Sequence, residues 1–162
     1  MQATVAILFV VVSLIIIRCY PRSARAISVI YILAVIYLTF ISREPKPDYI
    51  ITLQPFRAAR LAVEIGGLRG FFENGVRIVK PEYLTGIILN VLLFVPLGYL
   101  IPTLSTRCRR WYVALLVGIL ASVVIEVTQL ITRLGWCDLE DVVNNTFGSL
   151  IGYGLYNKFP KA

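Results

Sequence analysis

Five polar side chains stand where apolar ones would be expected. Asn90 falls inside an apolar run near residues 83–104. Glu126 and Gln129, spaced i, i+3, fall inside another near 111–132, with Arg133 on the same face at its end. Asp141 and Asn145, spaced i, i+4 and therefore stacked on one helix face, fall inside a third near 141–156, which is preceded by Asp138 and Glu140. Ionisable and amide groups inside apolar runs are costly in lipid, and they serve either a site or hydrogen bonds between helices. The chemistry open to them is limited. Glu126 and Asp141 could act as an acid–base pair, or Asp138 and Asp141 could offer oxygen ligands to a divalent cation. The chain has no histidine, and no serine or cysteine stands near as an obvious nucleophile. Cys19, Cys108 and Cys137 are odd in number and far apart, with no CxxC motif. They indicate free thiols rather than a disulfide framework or a zinc site, and no metal or cofactor is expected.

The elements that position these groups follow from composition. Of 162 residues, 58% are apolar and only 15% charged, against about 25% charged in ordinary soluble domains. The mean hydropathy is +0.80. A soluble chain of this length could not hide so much apolar surface, so lipid is the solvent that fits. Five segments approach the length of a bilayer span, at about 3–17, 26–41, 83–104, 111–132 and 141–156. The expected fold is therefore an all-α integral membrane protein, a single five-helix bundle over residues 1–162. The first segment has no basic n-region and no small-x-small cleavage site, and Arg18 follows it directly, so it is read as a retained helix.

The net charge of +7 does not point to nucleic acid, because the basic residues flank apolar runs. Arg18, Arg22 and Arg25, then Arg107, Arg109 and Arg110, then Lys158 and Lys161 fall on one side of a five-span chain. The positive-inside rule makes that side cytoplasmic, with the N-terminus outside and the C-terminus inside the cell membrane. The stretch from Ser42 to Glu82 is then an outer loop with seven basic and five acidic residues. Within it, Gln54 to Phe72 reads as an interfacial or re-entrant segment, with Arg57, Arg60 and Glu64 in one polar stripe at i, i+3, i+7 before Gly66-Gly67 breaks it. This topology puts Asn90, Glu126 and Asn145 at one depth, roughly 6–11 Å in from the outer surface at 1.5 Å per residue. Arg57 and Arg60 join them from the loop. Pro96 should bend its helix near Asn90. Two small-xxx-small pairs, Gly118/Ser122 and Gly148/Gly152, are expected to let helices of the same chain approach closely.

Taken in order, three blocks resemble the VanZ-like family. They are Asn90-Val-Leu-Leu-Phe94-Val-Pro96-Leu-Gly98, Glu126-Val-Thr-Gln129, and Asp138-Leu-Glu-Asp141-Val-Val-Asn144-Asn145-Thr-Phe-Gly148 continuing to Gly152. Leu53-Gln54-Pro55-Phe56 is similar to a further segment of that family, and the likeness spans about 50–156. Thr52 stands where the family often has Asn, and the turn from Arg133 to Asp138 is longer than the family's usual spacing. The resemblance implies a bacterial-type membrane protein. The family's namesake is linked with resistance to teicoplanin, a glycopeptide directed at cell-wall precursors.

Three functions fit these residues. The first is an outward polar pocket for an envelope lipid or lipid-linked cell-wall precursor. There Arg57 and Arg60 contact phosphate, while Asn90, Gln129, Arg133, Asp138 and Asn145 shape the site around Glu126 and Asp141. The second is an enzyme that modifies a lipid or cell-wall substituent through Glu126 and Asp141. The third is an accessory protein whose polar cluster only joins helices. The sequence leaves the oligomeric state open.

Overall fold

The computed structural model describes residues 11–13, 15–16, 24–54, 56–57, 60, 63–64, 77–78 and 81–159. Among the described residues there are four long helices: α1 (Ala24–Ile36), α2 (Pro81–Leu104), α3 (Trp111–Thr132) and α4 (Leu139–Lys158). Residues 11–13, 15 and 16 are also helical. The remainder of the first expected span lies outside the described residues, as do Arg18, Arg22, Lys161, Cys19 and most of the expected interfacial segment. Among the described residues, three helical stretches are long and apolar enough to cross a membrane: Ala24–Ile41, Glu82–Leu104 and Trp111–Thr132. The chain is a predominantly helical membrane protein.

Its interior and exterior are inverted relative to a soluble bundle. On α3, Ala114, Gly118, Ser122 and Glu126 recur every four residues and are buried with Gln129. Leu120 and Ile131, on other faces, are 64% and 70% exposed. Small residues inside and large aliphatic residues outside is the pattern of helices that meet each other closely and present their bulk to lipid. The hydroxyls obey the same solvent. Ser28, Thr39, Thr103, Thr128, Thr132 and Thr146 each donate to the carbonyl four residues back. That leaves no unsatisfied O–H for hydrocarbon to meet.

Helix α4 is the polar member. It carries Glu140, Asp141, Asn144, Asn145, Thr146 and Ser149, and among the described residues it is not one of the spans that qualify by apolarity. It is wedged between α2 and α3, and glycine makes this possible. A Cβ on Gly148 would collide with the Val91 carbonyl, one on Gly152 with the Val95 carbonyl, and one on Gly98 with the Ser149 carbonyl. The two backbones lie in direct contact, which only residues without a side chain permit. The Gly118/Ser122 pair receives the opposite face of α4. A Cβ on Gly118 would sit 2.9 Å from Ser149 Cβ, and Ser149 Oγ donates to the Ala114 carbonyl at 2.9 Å. Both small-xxx-small pairs pack within the chain. Pro96 and Pro102 both lie inside α2, which continues through them to Leu104.

Helix α1 leans on α2, with Tyr31 Oη donating to the Leu93 carbonyl at 2.8 Å. An apolar cluster of Ile27, Tyr31, Tyr99, Leu100 and Tyr156 fills the end of the bundle away from the polar residues. That end also carries Arg107, Arg109 and Arg110 between α2 and α3, and Lys158 at the close of α4.

The long loop is tied down by two short pairings. Strand β1 (Ile51–Thr52) runs parallel to β4 (Cys137–Asp138), with Ile51 opposite Cys137 and Thr52 opposite Asp138. Strand β2 (Val63–Glu64) pairs antiparallel with β3 (Arg77–Ile78). Glu64 therefore does not continue a helical stripe from Arg57 and Arg60.

Candidate functional site

The polar residues gather at the end of the bundle where α1 and α3 finish and α2 and α4 begin. Each is placed by its own helix. Asn90 sits nearly three turns into α2 and donates from Nδ2 to Asp141 Oδ1 at 2.6 Å, joining α2 to the first turn of α4. Glu126, on the small-residue stripe of α3, is 2% exposed, and its Oε2 accepts the backbone N–H of Asp138 at 2.8 Å. Asp138 is the N-cap of α4, its Oδ1 accepting from Glu140 N at 2.9 Å. One turn deeper, Asn145 Nδ2 donates to Ser122 Oγ at 2.8 Å. Gln129 Nε2 donates to the Thr39 carbonyl at 3.0 Å. Thr39 lies in a π-helical turn, Tyr37–Ile41, that extends α1. The wider turn bonds Ser42 N to the Tyr37 carbonyl and leaves the Thr39 carbonyl free to take a side-chain donor.

A cavity of about 590 Å³ lies between these elements. Asn90, Glu126, Gln129, Asp141 and Asn145 all line it, with Arg43, Glu44 and Lys46 on its outer side. A second cavity of about 290 Å³ adjoins it, lined by Arg57, Tyr83, Trp136 and Asp138, and shares Arg43, Gly86, Asn90 and Asp141 with the first. Strand β1 is what brings the loop cation here. Thr52 is opposite Asp138, and Arg57 Nη1 donates to Thr52 Oγ1 at 3.3 Å. Phe56, just before Arg57, takes a left-handed φ of 60°, a conformation a bulky side chain rarely adopts without cause.

Two sequence candidates are not brought together with the rest. Arg133 lines neither cavity. Helix α3 ends at Thr132 and Arg133 adopts a left-handed φ of 60°, so the face carrying Glu126 and Gln129 is not continued. Arg133 instead donates from Nε to Tyr49 Oη at 2.7 Å and stacks on that ring. Arg60 is exposed and donates to Gln54 Oε1 at 3.4 Å, and it also lines neither cavity.

Two residues that sequence reading missed stand at the site. Arg43 lines both cavities, and its guanidinium packs over the α3–α4 turn, 3.2 Å from where a Cβ on Gly135 would be. Its signal was its place one residue past an apolar run, where it was counted only as loop charge. The second, Cys137, lines neither cavity but directly precedes Asp138, and its thiol is raised by burial first and then by the charges of Glu126 and Asp138. It is held as a thiol rather than a thiolate nucleophile. Burial also pushes the Asp138 carboxyl above its ordinary value, against the Glu140 N–H and the Arg57 charge, which favour the ionised form. Among the described residues, no group of three or more Asp, Glu, Cys or His side chains could hold a metal ion.

A helical membrane protein with a carboxylate- and amide-lined cavity at one end of the bundle is the class these features define. Within that class the chain belongs to the VanZ/LLP1 family, whose model matches residues 28–159. No curated protein and no solved structure gives a significant match.

Proposed function

We propose that the paired cavities form a headgroup site for an envelope lipid or lipid-linked cell-wall precursor, facing the outer side of the cell membrane. The observation that carries this reading is convergence. Three helices contribute Asn90, Glu126, Gln129, Asp141 and Asn145 to one cavity, with Arg43 from the loop at its rim. Joining helices requires far fewer groups than this. The chemistry is that of a lipid headgroup, with guanidinium donors for phosphate from Arg43 and Arg57 and hydrogen-bonding groups deeper in. Arg43 replaces Arg60 as the second phosphate partner, since Arg60 stands apart.

The orientation in this proposal has the basic end of the bundle, with Arg107, Arg109, Arg110 and Lys158, in the cytoplasm. The site then opens outward, where cell-wall precursors are used. A protein that holds such a precursor would alter susceptibility to glycopeptides such as teicoplanin, which compete for it. The alternative of an acid–base enzyme is supported by one feature, that Glu126 and Asp141 line the same cavity.

The test is native mass spectrometry of the detergent-purified protein beside Arg43→Ala/Arg57→Ala and Glu126→Gln. Co-purified phosphate-bearing lipid that stays on the wild type and leaves the folded double variant supports the site. Equal lipid on all three overturns it and leaves the cluster as a helix-joining device. Turnover of the retained lipid that disappears in Glu126→Gln would favour the enzyme.

A further inference from the structure

We infer that the site selects a zwitterionic headgroup, with an ammonium held in the larger cavity and its phosphate held between Arg43 and Arg57. This rests on the headgroup reading above and names the class of ligand. The larger cavity is rich in acceptors with unused valences. Asn145 is 4% exposed and lines this cavity, yet its Oδ1 has no hydrogen-bond partner. Its amide nitrogen is already committed to Ser122, so what remains calls for a donor. Glu126 spends Oε2 on the Asp138 N–H, and Asp141 spends Oδ1 on Asn90. Each keeps a second oxygen.

Two carboxylates and an orphan carbonyl oxygen around one cavity match a group that carries several N–H donors and a positive charge. A buried carboxylate without such a partner is expensive. Among the described residues, neither Glu126 nor Asp141 makes an ion pair, and Arg43 and Lys46 remain exposed at the rim. A phosphate cannot sit deep here, because it would bring only acceptors and negative charge to acceptors. The smaller cavity next door also carries carboxylates, Glu82, Asp138 and Asp141, but it is the one that both guanidinium groups, Arg43 and Arg57, line, and the phosphate is placed between those two. Arg43, Asn90 and Asp141 form the shared wall, so a headgroup with its amine a few bonds from its phosphate reaches both. Phosphoethanolamine has that form.

The experiment is native mass spectrometry of the intact purified protein after exchange into equimolar mixtures of phosphatidylethanolamine, phosphatidylcholine and phosphatidylglycerol. Phosphatidylcholine keeps the charge but has no N–H, and phosphatidylglycerol keeps the phosphate but has no amine. The wild type is expected to retain phosphatidylethanolamine roughly tenfold over either, equivalent to about 1.4 kcal/mol. Glu126→Gln and Asp141→Asn, which keep the acceptors for Asp138 N–H and Asn90, should lose that preference yet still retain phosphatidylglycerol. Displacement of the lipid by free O-phosphoethanolamine would support the same chemistry without the tails. Wild type that retains phosphatidylglycerol as well as phosphatidylethanolamine, or carboxylate variants that keep the preference, overturns the inference and leaves the headgroup site standing. Retention of no lipid at all overturns both.

Discussion

Glu126 has two separable duties, and two substitutions separate them. Its Oε2 accepts the Asp138 N–H at 2.8 Å, and Asp138 both caps α4 and sits opposite Thr52. One hydrogen bond thus fixes the start of α4 and, through β1, the loop that carries Arg57. Its charge is a different matter, directed at the cavity. Glu126→Ala removes both and leaves a backbone N–H without its acceptor, at a cost of about 1–3 kcal/mol. At ~2–4 °C per kcal/mol for a chain of this size, the melting temperature should fall by roughly 2–12 °C. Glu126→Gln keeps a neutral carbonyl acceptor in the same place and gives up only the charge-assisted part of the bond, about 1 kcal/mol. Melting in detergent, followed by tryptophan fluorescence, reads the structural duty, and lipid retention reads the other. The expected pattern is a stable Glu126→Gln that loses the preference for phosphatidylethanolamine and an unstable Glu126→Ala. If Gln melts as low as Ala, the charge itself is structural and the separation drawn here is wrong. If Ala melts with the wild type, the Asp138 bond does not anchor the turn.

Four further outcomes follow from the geometry. Gly148→Leu should unseat α4 from α2, because even a Cβ there meets the Val91 carbonyl. A loss of about 1–3 kcal/mol or more is expected, seen as a lower melting temperature or aggregation on size-exclusion chromatography. A double-mutant cycle on Asn90→Ala and Asp141→Ala should show a coupling of about 0.6–1.7 kcal/mol, the range measured for interhelical bonds in a membrane; additivity would show that the 2.6 Å contact carries no energy. Arg133→Gln should leave lipid retention unchanged, since Arg133 lines neither cavity and bonds to Tyr49; a loss equal to that of Arg57→Ala would return Arg133 to the site. Asp138 has its carboxyl raised by burial, so its contribution is present below the unfolded pKa and is lost as pH rises through the higher folded one. Asp138→Asn keeps an N-cap acceptor without that charge, and its melting temperature should gain on the wild type as pH climbs out of the acid range; a constant difference across pH would refute the link.

The sequence carried the polar cluster because lipid makes each polar residue conspicuous. Asn90, Glu126, Gln129, Asp141 and Asn145 could be found by their cost alone, and helical spacing placed them on faces that meet. What it could not carry were contacts that arise from the backbone. Asn145 was open to pairing with Glu126, and only the one-turn offset between α3 and α4 gives it Ser122 instead. Glu126 meets a backbone N–H, which no residue pattern advertises. Arg133 continued the i, i+4 face of Gln129 on paper, but the helix stops one residue short. Arg43 was invisible for the opposite reason. Nothing in its spacing ties it to Glu126 or Asp141, and it comes to line their cavity because the π-turn at the end of α1 delivers the chain over Gly135.

The same contacts bear on whether the cluster is only helix glue. The close packing of α4 is already accounted for by Gly98, Gly148 and Gly152 against bare carbonyls and by Ser149 on Ala114. Ser122 with Asn145 adds a buried side-chain hydrogen bond between α3 and α4. These tie α2, α3 and α4 together without any charge. Glue would also be expected to leave its groups satisfied, since an unmet polar atom weakens the joint it is meant to make. Asn145 Oδ1 is unmet, and Glu126 and Asp141 each present an oxygen beyond the one they spend. The three residues that carry these oxygens line the same cavity. Asn144 Nδ2 is also unmet, away from both cavities, but around the larger cavity the surplus is of acceptors, with Arg43 at its rim and Arg57 in the adjoining one, which is what a site built for a charged donor requires.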